Sequence, residues 1–218
     1  TDPTSIKIIR KILIQWAYSS QRLGFKLLKQ IVPALSKSST SPASTKGKMK
    51  LQTQVIHFMK KPMPANIPSQ TARGLLGIED DKVIPILRNP QNLIQTMSDT
   101  DEAVFYFPGC GSERLFSQIG LATMAMLYET GVQTVLPPVY LCCGYPQSAG
   151  GDDQKGKQIS IDNQVLFHRL ANTLNYLDIK TIIVSCGTCM DQLLKYQFSQ
   201  IFPGSRLLDI HEFLKEKG

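Results

Sequence analysis

At 218 residues with 42% hydrophobic content, the chain can build a core and fits one domain with appendages or two small ones. No run of about 18 uncharged apolar residues occurs, so nothing in these residues is expected to span a bilayer, and no charged, apolar and small-residue cleavage pattern marks a secretory signal among them. Five cysteines, an odd number, argue against a closed disulfide framework and for a reducing compartment, so a cytoplasmic location is expected.

The net charge of +7 is divided along the chain: residues 1–61 hold twelve Lys or Arg against Asp2 alone, net +11, which leaves −4 for the rest. Within residues 1–35, Ile6, Ile9, Leu13, Trp16, Ala17, Leu27 and Ile31 recur at helical steps, with Lys7, Lys11, Arg22, Lys26 and Lys29 on another face. This basic amphipathic segment is expected either to pack on a core or to dock on an anionic membrane surface or acidic partner, the second placing the protein at the inner face of the membrane. Nucleic acid finds no support, since no recognition helix or aromatic-basic interleaving is present. Residues 36–50 read as a flexible linker of Ser, Thr, Lys and small residues. Residues 51–102, broken by Pro62, Pro64, Pro68, Pro85 and Pro90, read as a segment wrapping a neighbouring domain.

From residue 103 to 218 strands and helices alternate. Val104–Phe107 is a strand stopped by Pro108-Gly109. A helix capped by Ser112 then carries Leu115, Phe116, Ile119, Thr123, Met126 and Leu127 on one face, with Gly131 at its left-handed C-terminal position. A strand over 132–136 leads through Pro137-Pro138 to Leu141-Cys142-Cys143-Gly144 and a polar, glycine-rich loop over 147–156. A helix over 158–177 follows, with Leu166, Phe167, Leu170, Leu174 and Leu177 as its buried stripe, then a strand over 181–184, a helix to about 198, a short strand at 207–208 and a last helix from Asp209. Apolar strands separated by helices predict an α/β fold with a parallel sheet and flanking helices, preceded by a mostly helical, irregular N-terminal region.

The cysteines fall where such a sheet would gather them. Cys110, the vicinal pair Cys142-Cys143 after 31 residues, and Cys186-Gly187-Thr188-Cys189 after a further 42 each follow a strand, and the loops leaving parallel strands open on one edge. A lone thiol, a vicinal pair and a C-x-x-C supply soft ligands for iron or zinc, helix N-termini nearby favour thiolate, and Gly109, Gly111, Gly144 and Gly187 let backbone approach closely. Zinc in a four-thiolate site and metal-free dithiol exchange are the competing chemistries.

The arrangement FPGC, LCCGYP and SCGTC resembles the cysteine-rich CCG module of heterodisulfide reductase catalytic subunits and of the iron-sulfur subunits of glycolate, glycerol-3-phosphate and D-lactate dehydrogenases. The resemblance covers residues 103–218. It implies a non-cubane 4Fe-4S cluster held by Cys110, Cys142, Cys143, Cys186 and Cys189, with zinc as the alternative metal. The wording FYFPGCGSERLFSQIGLA and FHRLANTLNYLDIKTIIVSCGTC looks like the C-terminal region of large FAD-linked oxidoreductases, and Thr1 in place of methionine fits a piece of a longer chain. The resemblance therefore implies an oxidoreductase component, not active alone, with FAD on an upstream domain or partner subunit and an electron acceptor as further partner. A heterodisulfide reductase-like module or a zinc-stabilised interaction module are the alternatives. Three departures stand out: a longer gap between the vicinal pair and the C-x-x-C, a single module where many relatives carry two, and no C-x2-C-x2-C-x3-C-P run for a cubane cluster.

Other titratable groups read as structural. His168 lies beside a helix stripe, His211 begins the last helix, and His57 shows no partner. Glu113 suits a first helical turn, and Arg114 either offsets cluster charge or faces solvent. No Ser-His-Asp grouping, Walker loop or G-x-G-x-x-G is present.

Overall fold

Residues 16, 19–24, 26–27, 70–90 and 102–218 are described by the computed structural model, in which the chain divides into two units, residues 1–69 and 70–218. In the first unit Trp16 and residues 19–24 and 26–27 are helical, with Trp16, Leu23 and Leu27 exposed. The remainder of the basic segment, the linker at 36–50, and residues 51–69 and 91–101 of the proline-interrupted segment lie outside the described residues, as does His57. Among the described residues no helix is long and apolar enough to cross a membrane.

In the second unit every element serves a five-stranded sheet. Thr71 caps a short helix, α1 (Ala72–Leu76), by accepting from the Gly74 amide, and Gly77 ends it in the left-handed region. The chain continues through β1 (Ile86–Leu87) and β2 (Ala103–Phe107), whose five residues are all buried. After a π-helical turn (Gly111–Leu115) come α2 (Ser117–Glu129), β3 (Gln133–Val135), α3 (Tyr145–Ala149) and α4 (Asp153–Thr173). β4 (Ile179–Val184) is followed by α5 (Gly187–Leu193), a 3-10 turn (Leu194–Tyr196), α6 (Phe198–Ile201), β5 (Arg206–Asp209) and α7 (Ile210–Lys217).

The strand order is β1-β3-β2-β4-β5. β2, β3, β4 and β5 run parallel, with Phe105 opposite Val135 and Ile182, and Phe107, Val184 and Asp209 in one row. β1 pairs antiparallel with β3, so the sheet is mixed at one edge, and the edge strand comes from the segment read as a wrapping arm. Alternate residues of β2 face opposite sides. Phe105 and Phe107 join Phe167 and Leu170 of α4, Leu193 of α5 and Ile201 of α6, while Val104 and Tyr106 join Met124 and Leu127 of α2 and Ile210 and Phe213 of α7. The helix after β2 thus covers one face, and the helices after β3 and β4 cover the other. Adjacent strands whose connections leave for opposite faces open a crevice outside their carboxyl ends, here between β2 and β4.

Three sequence expectations are corrected. The helix after β2 does not start at Ser112: a π-turn intervenes, and Phe116 breaks the helix with φ −115° and ψ 61° before α2 begins. The restart rotates the helix, so Leu115, Phe116 and Ile119 are exposed and the buried face is Ser117, Gly120, Thr123, Met124 and Leu127. The glycine-rich stretch 147–156 is mostly helical: α3 opens at Tyr145 with Pro146 in its first turn, and Asp152 caps α4 by accepting from the Lys155 amide. The helix after the C-x-x-C is divided by Gln197, at φ 51°, into α5 with its 3-10 extension and α6.

Candidate metal centre

Cys110 stands three residues beyond β2 and is the residue from which the π-turn departs; Cys142 and Cys143 follow β3 in irregular backbone. Cys186, two residues beyond β4, occupies the N-cap of α5, which begins at Gly187, so Cys189 sits in the helix's first turn. All five are free thiols, Cys143 and Cys189 buried and the others half-buried.

Their sulfurs are linked in series. Cys142 Sγ lies 3.6 Å from Cys110 Sγ and 3.8 Å from the side-chain amide oxygen of Gln147. Cys142 also interacts with Cys143, Cys143 with Cys189, and Cys189 with Cys186, whose sulfur is 3.1 Å from Thr188 Oγ1. Hydrogen bonds along this series act in opposite directions on Cys110 and Cys143 on the one hand and Cys142 and Cys189 on the other. Hydrogen bonding to Cys142, followed by burial, holds the Cys110 thiol up, and hydrogen bonds to Cys142 and Cys189, followed by burial, do the same to Cys143. The hydrogen bonds they share with Cys110 and Cys143 hold Cys142 down, and the one from Cys143 does so for Cys189; the Arg114 charge contributes at Cys142. A packed row of five thiols cannot ionise throughout without a cation.

Two glycines are obligatory here. Gly109 has φ +68°, and a Cβ there would stand 2.7 Å from Cys189 Sγ; Gly144 has φ +89°, and a Cβ there would stand 2.7 Å from the Gly156 carbonyl oxygen. Gly111 and Gly187, grouped with them from sequence, meet nothing within 4 Å.

Around the sulfurs lies a polar shell that sequence reasoning missed or misread. Glu113 is buried and paired with buried Arg73 of α1, which also donates to the Pro137 carbonyl oxygen. Burial outweighs the arginine and pushes the Glu113 carboxyl up to about 7. Arg73 and Arg114 both pack on the Tyr140 ring, 5.4 and 4.8 Å from its centroid, two residues before Cys142. Thr71 and Glu79 hold the Tyr140 hydroxyl at 2.7 and 2.9 Å. Beneath Cys110 and Cys186, Tyr106 OH meets Ser185 Oγ at 2.8 Å, and Ser185 Oγ donates to Ser112 Oγ at 3.1 Å, so Ser112 serves this relay and not a helix cap. Asn163 Nδ2 donates to the Cys142 carbonyl oxygen at 2.7 Å and to Tyr196 OH at 3.0 Å, and Tyr196 OH donates to the Cys143 carbonyl oxygen at 3.3 Å. A polar Asn inside the apolar period of α4 was the one signal in the sequence for this group. His168 and His211 are exposed and take no part; Asp209, not His211, caps α7.

The donor set is soft and anionic, which suits iron or zinc. Among the described residues no three His, Cys, Asp or Glu side chains are disposed to close around a single ion.

Residues 104–194 match the model of a family described as CCG, the cysteine-rich domain. The chain is 24% identical over 110 residues to a probable glycolate oxidase iron-sulfur subunit of Bacillus subtilis, covering 50% of this chain and 23% of that protein. It is 25% identical over 115 residues to an uncharacterized iron-sulfur protein of Methanococcus maripaludis, covering 53% and 21%, and 27% identical over 93 residues to lactate utilization protein A of an Exiguobacterium species, covering 43% and 35%. The match thus spans between about a fifth and a third of the length of these relatives. No solved structure matches the chain.

Proposed function

Because residues 104–194 are a cysteine-rich domain of the CCG family, we propose that this protein is the iron-sulfur component of an oxidoreductase, with Cys110, Cys142, Cys143, Cys186 and Cys189 holding a non-cubane 4Fe-4S cluster. What supports the reading is that Cys110 and Cys142, 32 residues apart in sequence, bring their sulfurs within 3.6 Å of each other inside the region that matches the cysteine-rich family. Such a cluster, when bound, supplies one-electron transfer. The residues prepare for it: Cys142 and Cys189 are the thiols most ready to meet a cation, binding would displace the protons held on Cys110 and Cys143, and Arg114 offsets some of the thiolate charge.

The relatives named for glycolate oxidase and lactate utilization support a 2-hydroxy acid as the oxidised substrate, with the electrons reaching this domain from a flavin-bearing upstream domain or partner subunit and leaving to a separate acceptor. Five free thiols suit a reducing, cytoplasmic setting. The basic segment at residues 5–35, if it meets lipid, would bring the domain to the membrane's inner face. We assign residues 103–218 to the cluster domain, to which α1 and β1 of the preceding segment add a helix and an edge strand.

Anaerobic purification tests the reading. The expected product is brown, with broad absorption near ~400 nm and iron and sulfide in matching amounts, and Cys143→Ala abolishes all three. A colourless protein with one zinc per chain would overturn it in favour of a closed structural site.

A further inference from the structure

We propose that Asn163 and Tyr196 are positioning residues for the vicinal cysteines, fixing the direction in which the Cys143 sulfur points. The inference rests on the reading of Cys142 and Cys143 as ligands, but its geometry is independent of which metal they take.

Cys142 and Cys143 lie in irregular backbone, so their carbonyls have no strand partner in the sheet, and a buried carbonyl left unpaired is costly. Both are taken by one couple of buried side chains from distant regions of the chain. Asn163, on α4, donates to the Cys142 carbonyl, which belongs to the peptide between the two cysteines. Tyr196, in the 3-10 turn after α5, donates to the Cys143 carbonyl, which belongs to the next peptide. Peptides are planar, so pinning one plane on each side of Cys143 fixes its φ and ψ together, and with them its Cα–Cβ direction.

The couple is itself rigid. The second Asn163 contact, to Tyr196 OH, leaves that hydroxyl's proton free to point at Cys143, and the tyrosine ring is held by Phe198 and Phe167 at centroid distances of 6.0 and 6.2 Å. Asn163 and Tyr196 are exposed by only 4% and 2%, so neither has water as an alternative partner. Neighbouring side chains on extended backbone point to opposite sides, which would drive adjacent thiols away from each other. This couple holds the backbone in the irregular form that lets Cys142 reach Cys110 while Cys143 reaches Cys189.

The test is site-resolved alkylation of the full chain, stripped of metal and treated with iodoacetamide, with each cysteine's rate read by mass spectrometry. Tyr196→Phe keeps the ring and removes both the hydrogen bond to the Cys143 carbonyl and the one accepted from Asn163, while Asn163→Asp keeps the shape and removes both donors. One net hydrogen bond of about 0.5–1.5 kcal/mol corresponds to a roughly twofold to tenfold change in local opening. The expected result is that Tyr196→Phe raises the Cys143 rate by about that factor relative to Cys186, and Asn163→Asp by at least as much. Phe213→Leu, on the other face of the sheet, destabilises the domain without touching the couple and should leave the Cys143-to-Cys186 ratio unchanged. An unchanged ratio in Tyr196→Phe, or an equal change in Phe213→Leu, overturns the proposal; if Asn163→Asp does not fold, Tyr196→Phe decides alone. Iron and zinc contents of the same proteins as purified report on the metal reading separately, so a zinc protein with a raised Cys143 ratio would sink that reading and leave this one standing.

Discussion

Two residues show how narrowly the site is drawn. Gly109→Ala would place a methyl group against the Cys189 sulfur on backbone already in the left-handed region, so strain and overpacking act together. We expect a loss of about 2–4 kcal/mol in urea unfolding, against changes within about 0.5 kcal/mol for Gly111→Ala and Gly187→Ala, where the space is open. Glu113 predicts a pH dependence. Its folded-state carboxyl sits near 7 against an ordinary 4.5 because burial outweighs Arg73, so the folded protein binds the proton more tightly than the unfolded chain. Its contribution to stability is therefore complete below about pH 4.5 and is lost as pH rises toward 7 and beyond. Urea unfolding at pH 5 and pH 8 should show Glu113→Gln losing less stability across that interval than the parent; equal losses would mean that the Arg73 charge keeps this carboxyl ionised throughout.

At the scale of elements, the features legible in sequence were those that local pattern specifies. The runs that became β2 and β4 are uninterrupted, the α4 stripe through Phe167, Leu170 and Leu174 is periodic, and Gly131 takes φ +81° where a left-handed terminus was expected. The place of each cysteine group in a connection that follows β2, β3 or β4 was legible from the same apolar runs. What escaped notice depends on contacts between distant elements. β1 is two residues in a proline-flanked run with no period of its own, and it becomes a strand because β3 offers it an edge. The π-turn has no sequence signature, and extending a helix through it gave the wrong face of α2. Arg73 was invisible for the same reason: its worth lies in joining α1 to the π-turn through Glu113 and to the loop after β3 through Pro137 and Tyr140. At pH 8, where the parent's carboxyl is ionised, Arg73→Ala leaves Glu113 buried without its cation and should cost about 3–5 kcal/mol, whereas the double change Arg73→Met, Glu113→Leu should recover most of it. Thermal or urea unfolding of the three proteins checks this, and equal losses in the single and double variants would show that packing, not charge, holds α1.

For the whole molecule, the question is what the cysteine row does to the cooperativity of the sheet. The cysteines lie on connections leaving β2, β3 and β4, so a bound cluster would add a tie between three crossovers that already meet through Ser185 and Ser112, Arg114 and Tyr140, and Tyr196 and the Cys143 carbonyl. β5 and α7 contribute no sulfur; they are held by pairing with β4, by the Asp209–Glu212 capping box and by Ile210 and Phe213 in the opposite core. Binding to the folded state stabilises all of it in global unfolding, but sub-global openings respond only where the ligands sit. Amide hydrogen exchange before and after metal loading should therefore slow most in residues 109–115, 142–147 and 186–193, the three ligand-bearing turns. Residues 210–217 of α7 should change least, provided that conditions favour local over global opening. Protection rising equally in α7 and in the three turns would mean that the metal acts only by raising global stability. Protection confined to the Cys186 to Cys189 turn would mean a metal held without Cys110 and the vicinal pair, and the five-sulfur assignment would then fail.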